Sequence, residues 1–131
     1  VGIVCLSGGA GGKRRAGVRT VADAGPEAFV ALFAQAEAVV TTSFHGTVFS
    51  LLFRRPFISV VPAKMRNAGR QRGLLEQVGL LSRLVPEAGL GAVNPEEPVD
   101  WALAEARLEG ARAASLNFLR KALAGGFRHG A

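Results

Sequence analysis

Short apolar runs, separated by glycine, proline and charged residues, divide the first part of the chain into elements. The run Val1–Leu6 ends in a glycine-rich segment, which is typical of a buried strand followed by a loop. A second strand is predicted at Gly17–Val21. Pro26 then stands where a helix reaching about Glu37 would begin, and the β-branched run Ala38–Thr42 predicts a third strand.

The pattern continues with strands and helices in alternation. Ser43–Gly46 is predicted to be a sharp turn into a helix over Thr47–Phe53, and Pro56–Val61 is the next strand. A strand, a helix and a strand with short connections form a parallel βαβ unit. The elements predicted after it are a basic loop over Ala63–Gly69, a helix near Gln71–Val78 ended by Gly79, a short strand near Arg83–Val85, a surface connection without core positions over Pro86–Pro98, and a helix that Asp100 caps and that ends near Ala124.

An apolar stripe repeats at helical spacing along the last predicted helix, and we expect it to face the core. Its members are Trp101, Ala104, Leu108, Ala111, Ser115, Phe118, Leu119 and Ala122. The alternation of elements over only 131 residues predicts one Rossmann-like three-layer α/β domain with a parallel sheet, spanning residues 1–131.

Composition excludes several classes of protein. Hydrophobic residues make up 49% and charged residues 20%, so the chain should fold. Cys5 is the single cysteine, which excludes an internal disulfide framework and any multi-cysteine zinc site. No metal and no cofactor are predicted. The best apolar run, Thr47–Phe53, meets Arg54 and Arg55, so no membrane span is expected. A reducing compartment, the cytoplasm, is the predicted location.

Positive charge is concentrated in the first part of the chain. Residues 1–72 carry ten basic and three acidic side chains, a net charge of +7, whereas the remaining residues are close to neutral. This asymmetry predicts an anionic partner such as a phosphate, a carboxylate, an acidic glycan or a nucleic acid, although a solvated basic surface explains the count equally well.

The segment from Thr42 to Gly46 is the most informative candidate site, because it joins the carboxyl end of a parallel strand to the start of a helix. A helix start offers unpaired N–H groups to an anion, and Gly46 would let a ligand approach the backbone. Thr42 and Ser43 add hydroxyl groups. His45 can act as an acid, a base or a cationic ligand near neutral pH, while its structural alternative is a capping or packing role.

A basic loop follows the adjacent predicted strand, so the fold should bring it to the same edge of the sheet. Its cations are Lys64, Arg66, Arg70 and Arg72. Arginine grips phosphate or carboxylate with two parallel hydrogen bonds, so this loop beside a helix start favours a phosphate-type ligand. Each cation taken singly is equally explained as a solvated surface charge.

The stretch Ala36–Phe53, with Ser-Phe-His-Gly at its centre, followed by Arg55-Pro56-Phe57-Ile58, resembles the signature of the polysaccharide pyruvyl transferase family. Further similarities to that family are Arg70 with Leu74-Leu75, Gly79-Leu80 and Arg83, and then Val99-Asp100-Trp101 with Ser115, Phe118 and Leu119. The resemblance extends over about residues 18 to 124, and no counterpart is expected for the loop from Gly8 to Arg15.

The resemblance implies the C-terminal half of a GT-B-like fold and an enzyme that transfers the enolpyruvyl-derived group of phosphoenolpyruvate to sugar hydroxyls. It implies that His45 is the acid/base residue and that Arg70 holds the donor's phosphate or carboxylate. Ser43 and Gly46 would shape the pocket. Thr42 and Lys64 are predicted as further substrate-binding residues from their positions at the strand end and in the basic loop. An N-terminal domain is then expected before this chain, and the isolated chain can lack activity because a GT-B site lies between two domains.

Two other functions stay open at this level. One is a GT-B glycosyltransferase with a nucleotide-sugar donor, which would usually place a carboxylate near the ribose, and no acidic residue is suitably placed between Val40 and Leu75. The other is a non-catalytic module that binds polyanions through its basic half. Stacking aromatics would accompany such a surface, yet the phenylalanines lie mostly in apolar runs.

Overall fold

The computed structural model describes residues 3–6, 16–21, 24–65 and 68–125, which form two compact units. The first unit, Val1–Ala36, pairs strand β1 (Ile3–Leu6) with strand β2 (Val18–Val21) in parallel, with Ile3 opposite Val18. Helix α1 (Pro26–Gln35) follows, with proline in its first turn. All three elements lie where the sequence pattern predicts them.

The second unit, Glu37–Ala131, is built on a three-stranded parallel sheet. Its strands are β3 (Val39–Thr41), β4 (Phe57–Val61) and β5 (Leu84–Pro86), with β4 in the centre. Helix α2 (Phe44–Leu52) connects β3 to β4, and helix α3 (Gly69–Val78) connects β4 to β5. The predicted parallel βαβ arrangement is therefore confirmed, and the fold class is mixed α/β of the Rossmann-like type.

Alternate residues of β4 face the two sides of the sheet, as strand geometry requires. Phe57 is fully buried in a cluster formed with helices α2, α3 and α4 (Trp101–Ala124), which contribute Leu51, Leu75, Val78 and Ala104 among others. Ile58 and Val60 belong to a second cluster with Val85. The central strand is thus covered on both faces, which explains its nearly continuous apolar sequence.

The connection between β5 and α4 contains more structure than the sequence pattern predicts. Residues Glu87–Ala92 form a 3₁₀ helix, and Leu90 and Val93 pack against the cluster of Ile58, Val60 and Val85. The expectation that this connection has no core positions was therefore wrong. Its prolines and glycines are typical of an exposed loop, and only the packing on the sheet shows that Leu90 and Val93 make core contacts.

Helix α4 begins as predicted, because the Asp100 carboxylate accepts a hydrogen bond from the Leu103 N–H at 3.1 Å. Its first turns pack on the core, with Ala104 buried and Leu108 partly buried. From Arg112 onward the helix is exposed; Phe118 is 72% and Leu123 is 78% accessible. The predicted core stripe is therefore right only for its first half. No helix of the described ranges has a segment long and apolar enough to cross a membrane.

Arg83 holds the chain that leads into α4. Its side chain is 6% exposed, and Nη2 donates to the carbonyls of Glu97 and Pro98 at 2.8 and 3.0 Å, while Nη1 lies 3.5 Å from the Phe57 carbonyl. We expect Arg83→Met to lower the free energy of unfolding by about 3 kcal/mol, because it removes a buried cation's hydrogen bonds to the carbonyls that hold this connection. Urea unfolding beside the exposed control Arg112→Met measures this, and an equal loss in both variants would contradict it.

Candidate functional site

Helix α2 starts directly at the end of strand β3, and Ser43 is its N-cap. The Ser43 hydroxyl accepts the Gly46 N–H at 3.3 Å, and the Ser43 N–H donates to the Thr41 hydroxyl at 3.1 Å. The helix therefore begins at Phe44, three residues before the predicted start at Thr47, so the expected turn over Ser43–Gly46 was wrong. Phe44 and His45 occupy the first turn, where N–H groups have no carbonyl partner within the helix.

Gly46 is buried because the helix start lies against the end of β3. A Cβ atom at this position would approach the Thr41 Oγ1 to 2.2 Å and the Thr41 Cβ to 2.9 Å. The space beside Gly46 is thus taken by the protein itself, and this close packing accounts for the glycine. The expected ligand contact of Gly46 stays a prediction.

A buried pair of hydroxyl groups links α2 to the central strand, and a third buried hydroxyl is satisfied within the helix. The hydroxyls of Thr47 and Ser59 lie 2.9 Å apart, and the Thr47 hydroxyl also lies 3.1 Å from the Ser43 carbonyl. Ser50 donates to the Gly46 carbonyl at 2.8 Å. Because buried polar groups are costly unless hydrogen-bonded, the contact between Thr47 and Ser59 favours one register between the helix and the sheet. The position of the helix start at the sheet edge follows from that register.

An open cleft of about 560 Å³ lies at this edge, between the start of α2 and the start of α3. Four of the six predicted site residues line it: Thr42, Ser43, His45 and Arg70. Its other lining residues are Phe44, Met65, Gly69 and Gln71. As the topology predicts, the fold brings Arg70 to the same edge of the sheet as the end of β3.

Arg70 and His45 both contact the Phe44 ring. The Arg70 guanidinium carbon lies 5.1 Å from the centre of the Phe44 ring, and the His45 ring meets Phe44 edge-on with centroids 5.8 Å apart. A guanidinium stacked on an aromatic face keeps its in-plane N–H groups for an anion. The cleft thus combines a cation, an imidazole and the positive end of a helix.

Gln71 connects the two helices that form the cleft. Its side chain is 5% exposed, and its Nε2 donates to the Thr42 carbonyl at 3.1 Å. The bond joins the first turn of α3 to the segment between β3 and α2. Sequence reasoning missed Gln71, since a single glutamine in a helix carries no motif. It missed Phe44, which has no polar group, and Met65, which lies in a loop where only the cations suggested a site.

The other predicted cations are placed differently from Arg70. Lys64 is exposed on the turn after β4 and is not among the residues that line the cleft, so its donor contact stays a prediction. Arg72 is exposed on α3, and its Nη1 lies 3.8 Å from the Glu76 carboxylate. Arg66, like the loop from Gly8 to Arg15, lies outside the described residues.

A helix start at the carboxyl end of a parallel strand, with a basic side chain beside it, is the arrangement by which Rossmann-like α/β proteins bind anionic ligands. The sequence model of the polysaccharide pyruvyl transferase family matches residues 8–63 of this chain, and the resemblance read from the Ser-Phe-His-Gly motif is thereby confirmed. The family is one of transferases in polysaccharide synthesis and implies a saccharide acceptor. No curated protein and no solved structure matches the chain.

The matched range differs from the resemblance expected from the motifs. It begins at residue 8, so the loop from Gly8 to Arg15, for which no counterpart was expected, lies inside it. It contains Thr42, Ser43, His45 and Gly46 and ends at residue 63, before Arg70 and Gln71. The similarity of the later segments to the family therefore stays a prediction. Arg70 is a candidate site residue because it lines the cleft, not because the family model covers it.

Proposed function

We propose that this chain carries the donor site of a pyruvyl transferase that moves the enolpyruvyl-derived group of phosphoenolpyruvate onto sugar hydroxyls of a polysaccharide or its precursor. The observation that carries the proposal is the cleft in which Arg70, His45 and the start of α2 surround one open space. Phosphoenolpyruvate has a phosphate and a carboxylate close together, and such a ligand needs converging cations and N–H donors.

The proposed reaction forms two C–O bonds at C2 of the donor. The first sugar hydroxyl adds to C2 while the His45 imidazolium delivers a proton to C3, which becomes the methyl group. The second hydroxyl then displaces phosphate from C2 and leaves a pyruvate ketal, and the protons of both hydroxyls pass to a base or to water. Arg70 and the helix start stabilise the charge that collects on the departing phosphate.

The acceptor would reach this site from a second domain. A GT-B-like enzyme binds its two substrates on facing domains, and the described cleft is open rather than enclosed. We propose that an N-terminal domain of the complete enzyme supplies the acceptor site. The cytoplasmic location expected from the single cysteine stays a prediction.

Neutralising Arg70 tests the donor site directly. We expect Arg70→Gln to weaken the binding of phosphoenolpyruvate to this chain about 10- to 100-fold, because charge-assisted hydrogen bonds to the anion are lost. Arg72→Gln is the matched control: it removes the same charge from the same helix outside the cleft, and its affinity should change less than about threefold. Calorimetric titration measures both.

A nucleotide sugar and a salt series separate this function from its rivals. A uridine diphosphate sugar that binds more tightly than phosphoenolpyruvate would favour a glycosyltransferase. Equal losses in the two arginine variants, with an affinity that falls steeply with salt, would indicate a surface that binds polyanions by charge alone.

A further inference from the structure

We infer that Gln71 is a positioning residue of this site: its buried amide holds Arg70 over Phe44, so that the arginine faces the donor beside the start of α2. The inference rests on the proposed function for what Arg70 binds, but the positioning itself is a property of the chain. Three observations carry it, and none of them involves a bound ligand.

The first observation is that α3 has no side-chain cap of its own. Its N-cap residue, Ala68, makes no side-chain hydrogen bond to the first turn. Farther along, Leu75 and Val78 anchor the helix in the core with no exposed surface. The first turn therefore extends from the anchored part toward the cleft, and the conformation of Arg70 depends on what holds that turn.

The second observation is that Gln71 supplies such a contact. Its Nε2 donates to the Thr42 carbonyl at 3.1 Å, one residue before the N-cap of α2. A glutamine that is 5% exposed is held by its hydrogen bond, whereas an apolar side chain of similar length would fill the same space without a partner. The polar contact thus links the first turn of α3 to the segment that leads into α2.

The third observation is the neighbouring contact of Arg70 with the Phe44 ring at 5.1 Å. Gln71 reaches the residue before the cap of α2, and Arg70 reaches the first residue of α2. The side chains of Arg70 and Gln71 therefore both reach from α3 to the segment where α2 begins. Losing the Gln71 bond should release the turn and move Arg70 away from the ring.

Aromatic ring currents make this movement measurable without a ligand. In the unmodified chain, the Arg70 side-chain protons should resonate upfield of their positions in Phe44→Leu, which lacks the ring. We expect Gln71→Met to lose that upfield shift, while Gln77→Met, a substitution at an exposed glutamine of the same helix, should keep it. A shift that persists in a folded Gln71→Met would overturn the inference.

Gln71→Glu gives an independent readout that does not require an apolar substitution to fold. A carboxylate cannot donate to the Thr42 carbonyl, but a protonated carboxyl group can. Because burial raises the pKa of a carboxyl group above its usual range, we expect the ring-current shift of this variant to be absent at alkaline pH, where the carboxyl group is ionised, and to return as the pH falls and the group becomes protonated. The unmodified chain is followed over the same pH range, and a variant that tracks it at every pH would overturn the inference.

Titration with phosphoenolpyruvate then distinguishes the two proposals. Weakening of about tenfold in Gln71→Met, with Gln77→Met unchanged, would support both positioning and donor binding. If the unmodified chain binds no phosphoenolpyruvate and Gln71→Met still loses the ring-current shift, the positioning role of Gln71 is supported and the donor site is overturned. An unchanged affinity together with a retained shift in Gln71→Met would reject the positioning role of Gln71 and leave the donor site unaffected.

Discussion

Replacing His45 by asparagine in the complete enzyme is expected to lower the rate of pyruvyl transfer by about 10²- to 10⁴-fold, the usual contribution of a positioned acid or base. The residue lies in the first turn of α2 and lines the cleft, with its ring edge-on to Phe44 at a centroid distance of 5.8 Å. Asparagine preserves a polar side chain but cannot deliver a proton to C3. The measurement is the turnover of phosphoenolpyruvate with a saccharide acceptor.

Donor affinity is the control for His45→Asn. Arg70 and the helix start remain in place, so the affinity for phosphoenolpyruvate should stay within about threefold of the unmodified protein, a change of less than about 1 kcal/mol. A low rate at unchanged affinity is the signature of an interaction made only in the transition state. Full turnover in this variant would contradict the assigned role, and a loss confined to affinity would make His45 a ligand rather than an acid.

Gly46→Ala is expected to lower the free energy of unfolding by about 3 kcal/mol, at the upper end of the usual cost of overpacking. The added methyl group would lie 2.2 Å from the Thr41 Oγ1. Rotating the threonine side chain would give up the bond that it accepts from the Ser43 N–H and would still leave its Cβ at 2.9 Å. The start of α2 must therefore move away from the strand. Urea unfolding measures the loss.

Two variants make this prediction specific to the contact. Gly73→Ala, in α3, adds a methyl group where no atom lies within 4 Å and should be neutral or stabilise by about 1 kcal/mol, since alanine is the better helix former. Thr41→Gly removes the side chain that Gly46→Ala would meet, so the cost of Gly46→Ala should fall by at least about 1 kcal/mol in that background. Equal costs in both backgrounds would locate the strain elsewhere.

The site shows where local sequence patterns are informative. One argument placed Thr42, Ser43 and His45: a β-branched run followed by serine and glycine is a strand leading into a helix. All three residues line the cleft. Arg70 was placed by the topology of a parallel sheet, which brings successive strand ends to one edge. Lys64 follows from the same topology, yet it is not among the residues lining the cleft, because a turn residue's direction depends on local backbone geometry.

Other features required the packed structure. The α2 start was misjudged because Phe44, His45 and Gly46 resemble a turn, while Ser43 and Thr41 supply the hydrogen bonds that let the helix begin earlier. The exposed second half of α4 has the same apolar spacing as its packed first half. Periodicity identifies which face is apolar, but not how far the neighbouring elements extend along it.

Sequence patterns alone predict the order of strands and helices, the parallel βαβ unit, the capping of α4 by Asp100 and the place of His45 just after a strand end, because propensity, capping and hydrophobic period act over a few residues. The packed structure was needed to show that Gly46 lies directly against Thr41 and that the Gln71 amide on α3 donates to the Thr42 carbonyl before α2. It also shows the Arg70 guanidinium over the Phe44 ring. These contacts join residues whose distance is set by the packing of helices on a sheet, and no local property of either partner specifies that distance.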